Sequence, residues 1–183
     1  MLSVSWTSRD PFNAEVVDHA SGQVIFHLDT PFKIFGTRVT TMTDAQGRVV
    51  AEYERRLGYD RVTYQGQTHR VSDWLPKNGL FSSARRLHAP DGKTYVWKEK
   101  MGGKFKLVDA RSDAVVARTH AANLGIFSER HNIIIDAGPE IVAFLDVIVL
   151  SFVICEGERR ARQRDQSAAQ MSAMSGASAA AAC

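Results

Sequence analysis

Cysteine is nearly missing from the chain. Its 183 residues include two, Cys155 and Cys183, which is too few for a disulfide framework. There is no Cys-x-x-Cys pair. The six histidines (His19, His27, His69, His88, His120 and His131) show no metal-ligand spacing, so no metal site is expected. Also missing are a Gly-x-Ser-x-Gly nucleophile elbow, a phosphate-cradling glycine loop that opens a helix, and an acidic EF-hand-type calcium loop. No catalytic residues and no cofactor are therefore expected, and the chain reads as non-enzymatic. Charge of one sign is lacking too. Lys plus Arg number 23 against 20 Asp plus Glu, for a net charge of +3. Bases interleave with acids instead of forming a stripe, which argues against a nucleic-acid partner. The opening residues, MLSVSWTSRD, lack the basic region and apolar stretch of a signal peptide. Together with the sparse cysteines, this leads us to expect an intracellular, cytoplasmic protein in a reducing compartment.

What the chain does have is one concentrated apolar run, Ile141 to Cys155 (IVAFLDVIVLSFVIC), in which eleven of fifteen side chains are large and apolar. No polar face appears at either helical or strand period, so the segment must be enclosed by protein or lipid. As a strand it would stretch roughly 50 Å, far beyond ordinary strand length. As a helix it spans about 22 Å. Gly138-Pro139-Glu140 supplies a proline and an acid suited to a helix start, and Gly157 suits a left-handed C-terminal residue. The spacing thus predicts a helix over residues 139–156. A membrane anchor is the competing reading, because the basic flank Glu158 to Arg164 resembles a cytoplasmic border. Against it, the run is shorter than the ~20 residues that cross a bilayer, and Asp146 lies at its centre. A buried Asp146 is expected to meet a polar group of the surrounding wall, for example an arginine, or to lie near its mouth.

Upstream, short alternating runs flank turn signals. Ala14–His19 and Gln23–Asp29 bracket Ala-Ser-Gly, and Arg38–Thr43 and Arg48–Arg55 bracket a turn at Gly47. Arg61–Tyr64 and Gln67–Val71 bracket Gln65-Gly66, and Leu80–His88 and Lys93–Lys100 bracket Pro90-Asp91-Gly92. Lys104–Ala110 and Ala114–His120 bracket Arg111-Ser112-Asp113. Each pair reads as a hairpin. Single strands are expected at Leu2–Trp6 and Glu129–Asp136, and one capped helical turn at Val71–Pro76. The expected fold is mainly β: a closed antiparallel barrel of about twelve strands around the buried C-terminal helix. Residues 1–160 would form this single domain. Residues 161–183, rich in Ala and Ser, would be a disordered tail, although the alanines could support a frayed helix.

The segments Gly22-Gln-Val-Ile-Phe26, Thr30-Pro-Phe32, Asp91-Gly-Lys-Thr-Tyr-Val-Trp-Lys98 and Leu145-Asp-Val-Ile with Glu156 and Arg159-Arg160 resemble the tubby C-terminal-like superfamily. That group includes LURP-one-like proteins and phospholipid scramblases, and the nearest likeness is to an uncharacterised fungal branch. The resemblance spans about residues 10 to 160. It implies a barrel around a hydrophobic helix, and a phosphoinositide partner held by basic side chains. Calcium-dependent lipid movement is not carried over, since the calcium loop is missing.

The best candidate surface is the hairpin Lys98 to Lys106. Alternation turns Tyr95, Trp97, Phe105 and Leu107 inward, and Lys98, Lys100, Lys104 and Lys106 outward beside a Met-Gly-Gly tip. Four ammoniums there suit anionic phospholipid headgroups, at roughly 1 kcal/mol per charge near an anionic membrane. They equally suit a solvated face that keeps a hairpin soluble. A protein-interaction scaffold with no lipid role is the alternative function. Arg55-Arg56 and Arg85-Arg86 straddle strand faces, so one side chain of each pair is expected to point outward. Trp74 and Trp97 are expected to pack rather than to bind.

Overall fold

The computed structural model describes residues 1–32, 36–79, 82–120 and 132–180, with side chains to residue 173. Twelve strands appear in chain order: β1 (Leu2–Trp6), β2 (Ala14–Asp18), β3 (Val24–Asp29), β4 (Arg38–Asp44), β5 (Val49–Arg55), β6 (Arg61–Tyr64), β7 (Gln67–Arg70), β8 (Arg85–His88), β9 (Thr94–Lys100), β10 (Lys104–Asp109), β11 (Val115–His120) and β12 (Ile134–Ala137). A single helical turn, α1 (Val71–Trp74), separates β7 from β8. The predicted hairpins are therefore present. Glycines at positive φ hold the turns, among them Gly47 (78°) and Gly66 (75°), a region closed to most side chains. The expected strand at Glu129–Asp136 begins in residues outside the described set, and its visible part runs from Ile134 to Ala137. Leu80 and Phe81, expected to open β8, also lie outside it.

The strands form one antiparallel sheet in the order β7-β6-β5-β4-β3-β2-β1-β12-β11-β10-β9-β8. The expectation of a closed barrel is overturned here, because β7 and β8 end the sheet and no ladder joins them among the described residues. The physical reason lies in the connector. After α1 the chain doubles back along the free edge of β8. Arg86 N–H donates to Pro76 O at 2.8 Å, and Asn78 N–H donates to Ala84 O at 2.8 Å. The edge that β7 would need is thus occupied by residues 76–78. A loop protects it, which removes the aggregation hazard without closure. Bulges at Val16/Val17, Met42/Thr43 and Leu107/Val108 add local twist that helps a long sheet curl.

A 3-10 turn, Pro139–Phe144, leads into helix α2 (Leu145–Ala180). Side chains from many strands reach this one helix, so the sheet curls around it even though its edges stay apart. Phe152 sits between Trp6 of β1 (ring centroids 5.2 Å), Trp97 of β9 (5.9 Å) and Phe105 of β10 (5.8 Å). Val147 to Cys155 are all buried, with Ile148, Val149, Ser151 and Ile154 fully so. Ser151 accepts the Trp97 indole N–H at 2.9 Å and donates to Ile148 O. Burial pushes the Cys155 thiol pKa up. Asp146 is only half-buried and accepts from Tyr64 of β6 at 2.8 Å. The wall does supply its partner, a phenol in place of the arginine offered as an example.

Two expectations about the helix end are corrected. Gly157 does not terminate it. A Cβ at that position would stand 3.0 Å from Phe12 Cζ and 3.7 Å from Tyr53 Cε1, so glycine is there because helix and sheet pass too closely for a side chain. The backbone stays helical through Ala180, where a disordered tail had been expected from residue 161. Ion pairs tie this continuation to the sheet. Arg85 of β8 pairs with Glu158, and Arg162 pairs with Glu99 of β9 at 2.6 Å.

Phe152→Ala is expected to destabilise the fold by about 3–5 kcal/mol, because three rings lose their common partner. Denaturant unfolding monitored by tryptophan fluorescence measures it, and a change below about 1 kcal/mol contradicts the packing described.

The four tyrosines form a second test. The pKa values of Tyr53, Tyr64 and Tyr95 are raised, first by burial and then by Asp60, Asp146 and Asp91 respectively. That of exposed Tyr59 is lowered by its hydrogen bond from Arg61. For the three raised groups, the protonated form stabilises the fold fully below the unfolded phenol pKa. That contribution is lost as pH rises through the folded values. An absorbance titration should show one early phenol and three that ionise only at more alkaline pH, as the fold gives way. Four overlapping ionisations contradict it.

Candidate functional site

The lysine hairpin forms as expected. In the β9–β10 register Lys98 faces Lys106 and Lys100 faces Lys104, so all four share one side of the ribbon. Tyr95, Trp97, Phe105 and Leu107 take the other side and are buried. Lys100 and Lys104 are exposed, whereas Lys98 and Lys106 are half-buried. Like charges opposite one another weaken a ladder. One acid offsets this: Lys98 Nζ donates to Asp113 at 2.8 Å. That hydrogen bond holds the Asp113 carboxyl below its usual range, with Lys98, Lys106 and Lys100 adding through their charge. At the tip Met101 is 96% exposed, and Gly102 and Gly103 take φ of 75° and 71°. Gly103 lies close to α2, since a Cβ there would stand 3.2 Å from the Arg159 guanidinium.

That contact leads to a feature that reading the sequence did not assemble. Arginines from three elements converge where α2 leaves the sheet: Arg38 of β4, Arg55 of β5, and Arg159, Arg160 and Arg164 of α2. They line a cleft of about 1090 Å³ together with Asp10, Phe12 and Thr30. Gln163, Ser167 and Met171 of α2 complete its helical wall, at spacings that place them on one helix face. Phe12 is the pivot. Its ring lies under the Arg55 guanidinium at 3.9 Å, and it is the ring against which Gly157 lets the helix settle. Arg55 also donates to Thr40 Oγ1 at 3.2 Å, while its Nε has no hydrogen-bond partner among the described residues. Burial lowers the Arg55 pKa, and nearby Arg38 pulls the same way.

Glu156, 3% exposed, accepts from Arg159 at 2.7 and 2.8 Å and from Arg160 at 2.6 Å. Arg160 also donates to Arg9 O at 2.7 Å, which anchors α2 to the loop before β2. The spacing of Glu156, Arg159 and Arg160 was a legible sign of a helical ion-pair set. Nothing in the sequence brought Arg38 and Arg55 to it, because that needs the sheet to curl. The arginine doublets split as expected. Arg86 and Arg56 are exposed, while Arg85 is buried against Glu158 and also donates to Leu75 O at 3.1 Å. Trp97 packs in the core and Trp74 packs against its margin. His131 and Cys183 lie outside the described residues. Among the described residues, no group of three His, Cys, Asp or Glu side chains is placed to hold a metal. No described helix is long and apolar enough to cross a membrane.

Fold and surface together define a sheet-wrapped helix domain with a lysine ribbon and an arginine cleft at neighbouring positions. The chain belongs to the family of unknown function DUF6593, whose pattern matches residues 9–161. An X-ray structure of a protein from Arabidopsis thaliana is similar at 16% identity, with a TM-score of 0.42. The match covers 81% of this chain and 88% of that one. No curated protein matches. Neither of the two matches bears a tubby-like name.

Glu156→Gln removes the carboxylate from two partly buried guanidiniums. A loss of about 1.5–3 kcal/mol is expected, the range for hydrogen bonds to charged groups. Chemical denaturation checks it, and unchanged stability contradicts the anchoring role.

Proposed function

We propose that the chain is a non-enzymatic binding module that meets anionic phospholipid surfaces through the β9–β10 hairpin. One observation carries this reading: the register that sets Lys98 against Lys106 and Lys100 against Lys104 around a tip bearing the exposed Met101. A ring of ammoniums about one exposed apolar side chain suits a headgroup layer. The charges meet phosphates, and the thioether reaches the acyl boundary. Arg159 and Arg160 lie beside the tip and extend the positive field. The resemblance to tubby-like proteins points the same way. Lys98 shares its charge with Asp113, so Lys100, Lys104 and Lys106 carry most of the attraction.

A scaffold function rests on a different observation. The open sheet leaves β7 at an edge, and all four of its residues, Gln67–Arg70, are exposed. A partner strand adding there would use main-chain hydrogen bonds, be insensitive to salt, and leave the lysines uninvolved.

Sedimentation with phosphatidylcholine vesicles, with and without phosphatidylserine, tests the lipid reading. Each of Lys100→Ala, Lys104→Ala and Lys106→Ala should weaken partition about fivefold, at roughly 1 kcal/mol per charge, and added salt should weaken it for the unmodified chain. Equal partition of the unmodified chain and the Lys98, Lys100, Lys104 and Lys106 alanine variant overturns it.

A further inference from the structure

The geometry points to a second and separate anion site: the cleft between α2 and the β4–β5 end of the sheet binds one compact solute or headgroup bearing several phosphate groups. Charge balance is the first ground. Five guanidiniums line the cleft, Asp10 is the one carboxylate among its described lining residues, and Glu156 lies against Arg159 and Arg160. Asp10 accepts from Phe12 N–H at 3.2 Å and from Asn13 Nδ2 at 2.7 Å, which ties it into its own loop. Arg38, Arg55 and Arg164 therefore have no ion-pair partner among the described residues. Like charges gathered in a concave site repel one another and focus a positive field, and both effects favour a bound polyanion.

Preorganisation is the second ground. Arg55 is held over the Phe12 ring at 3.9 Å and steadied by Thr40, so little side-chain freedom remains to be lost on binding. Arg159 is fixed by Glu156 and by Gln163 at 3.1 Å. Guanidinium forks match phosphate oxygens two at a time, a geometry ammoniums cannot offer. The lysine ribbon and this cleft therefore differ in chemistry: point charges suited to a diffuse surface on one side, forks suited to one discrete ligand on the other. Exposed Phe32 (87%) and Met171 (71%) form apolar lips to the cleft, so a ligand with a hydrocarbon or ring portion beside its phosphates fits it. The site uses none of the hairpin lysines and shares only Arg159 and Arg160 with the surface beside the hairpin tip, so lysine variants and Arg38/Arg164 variants tell the two readings apart.

Calorimetric titration of the full chain with inositol hexakisphosphate is the direct test, run beside phosphatidylcholine vesicles with and without phosphatidylinositol bisphosphate. The double variant Arg38→Ala/Arg164→Ala is the probe, because both side chains are exposed and unpaired among the described residues and their loss should leave folding intact. Saturable single-site binding is expected. Each of the two substitutions should weaken it about tenfold, and Lys100→Ala/Lys104→Ala should leave it unchanged. Binding of the free probe with that arginine dependence identifies a soluble phosphate ligand. Binding only to the phosphoinositide vesicles with the same dependence identifies a headgroup. Binding that falls with the lysines but not with the arginines overturns the cleft and leaves the hairpin standing. Failure to bind either probe overturns it as well.

Discussion

Everything in this structure follows from one constraint: a helix apolar on all sides has to be kept from water. Val147 to Cys155 offer no face to solvent, so neither a flat sheet nor a single packing partner would serve. Short strands supply the enclosure, several of them burying alternate residues. Phe152 meets rings from β1, β9 and β10 together, while Tyr64 of β6 and Arg85 of β8 reach the two ends of the buried stretch. Partners drawn from nearly the whole width of the sheet fix the curl, and the curl fixes which surface residues become neighbours.

Enclosure turns out not to require closure. The β8 edge is satisfied by the chain's own connector, residues 76–78, and the β7 edge is left short and polar. Meanwhile α2 runs on past the core, and its character changes along the way. Within one turn of Cys155 the apolar helix becomes an arginine helix, held by Glu156 and Glu158 as it leaves the sheet. The point of exit is where the electropositive features gather, because the helix arginines emerge beside the ends of β4, β5 and the β9–β10 hairpin. The position of the basic surface is thus a consequence of where the apolar run stops.

Strands and hairpins were legible because their signals are local. A glycine or aspartate turn between alternating runs locates a hairpin almost unaided, as at Asp91-Gly92 and Gln65-Gly66. The lysine face was legible for the same reason, since a two-residue period fixes sides within one ribbon. Closure was not legible. It depends on whether β7 or the connector reaches β8 first, and both segments are short and polar. Gly157 misled because glycine after an apolar run usually ends a helix, whereas here it answers a steric demand from Phe12, far away in sequence. The arginine cleft was invisible for a related reason. Arg38, Arg55 and Arg164 become neighbours only through the curl, and no spacing in the chain encodes that.

Native-state hydrogen exchange tests the enclosed helix most directly. Amides of Val147–Cys155 should exchange only on global unfolding and be the slowest in the chain, those of the exposed stretch Arg162–Gln170 should exchange far faster, and those of β7 should show an unshielded edge. Exchange of Val147–Cys155 at the rate of Arg162–Gln170, or protection of β7 matching that of the central strands, contradicts a helix sequestered by an open sheet.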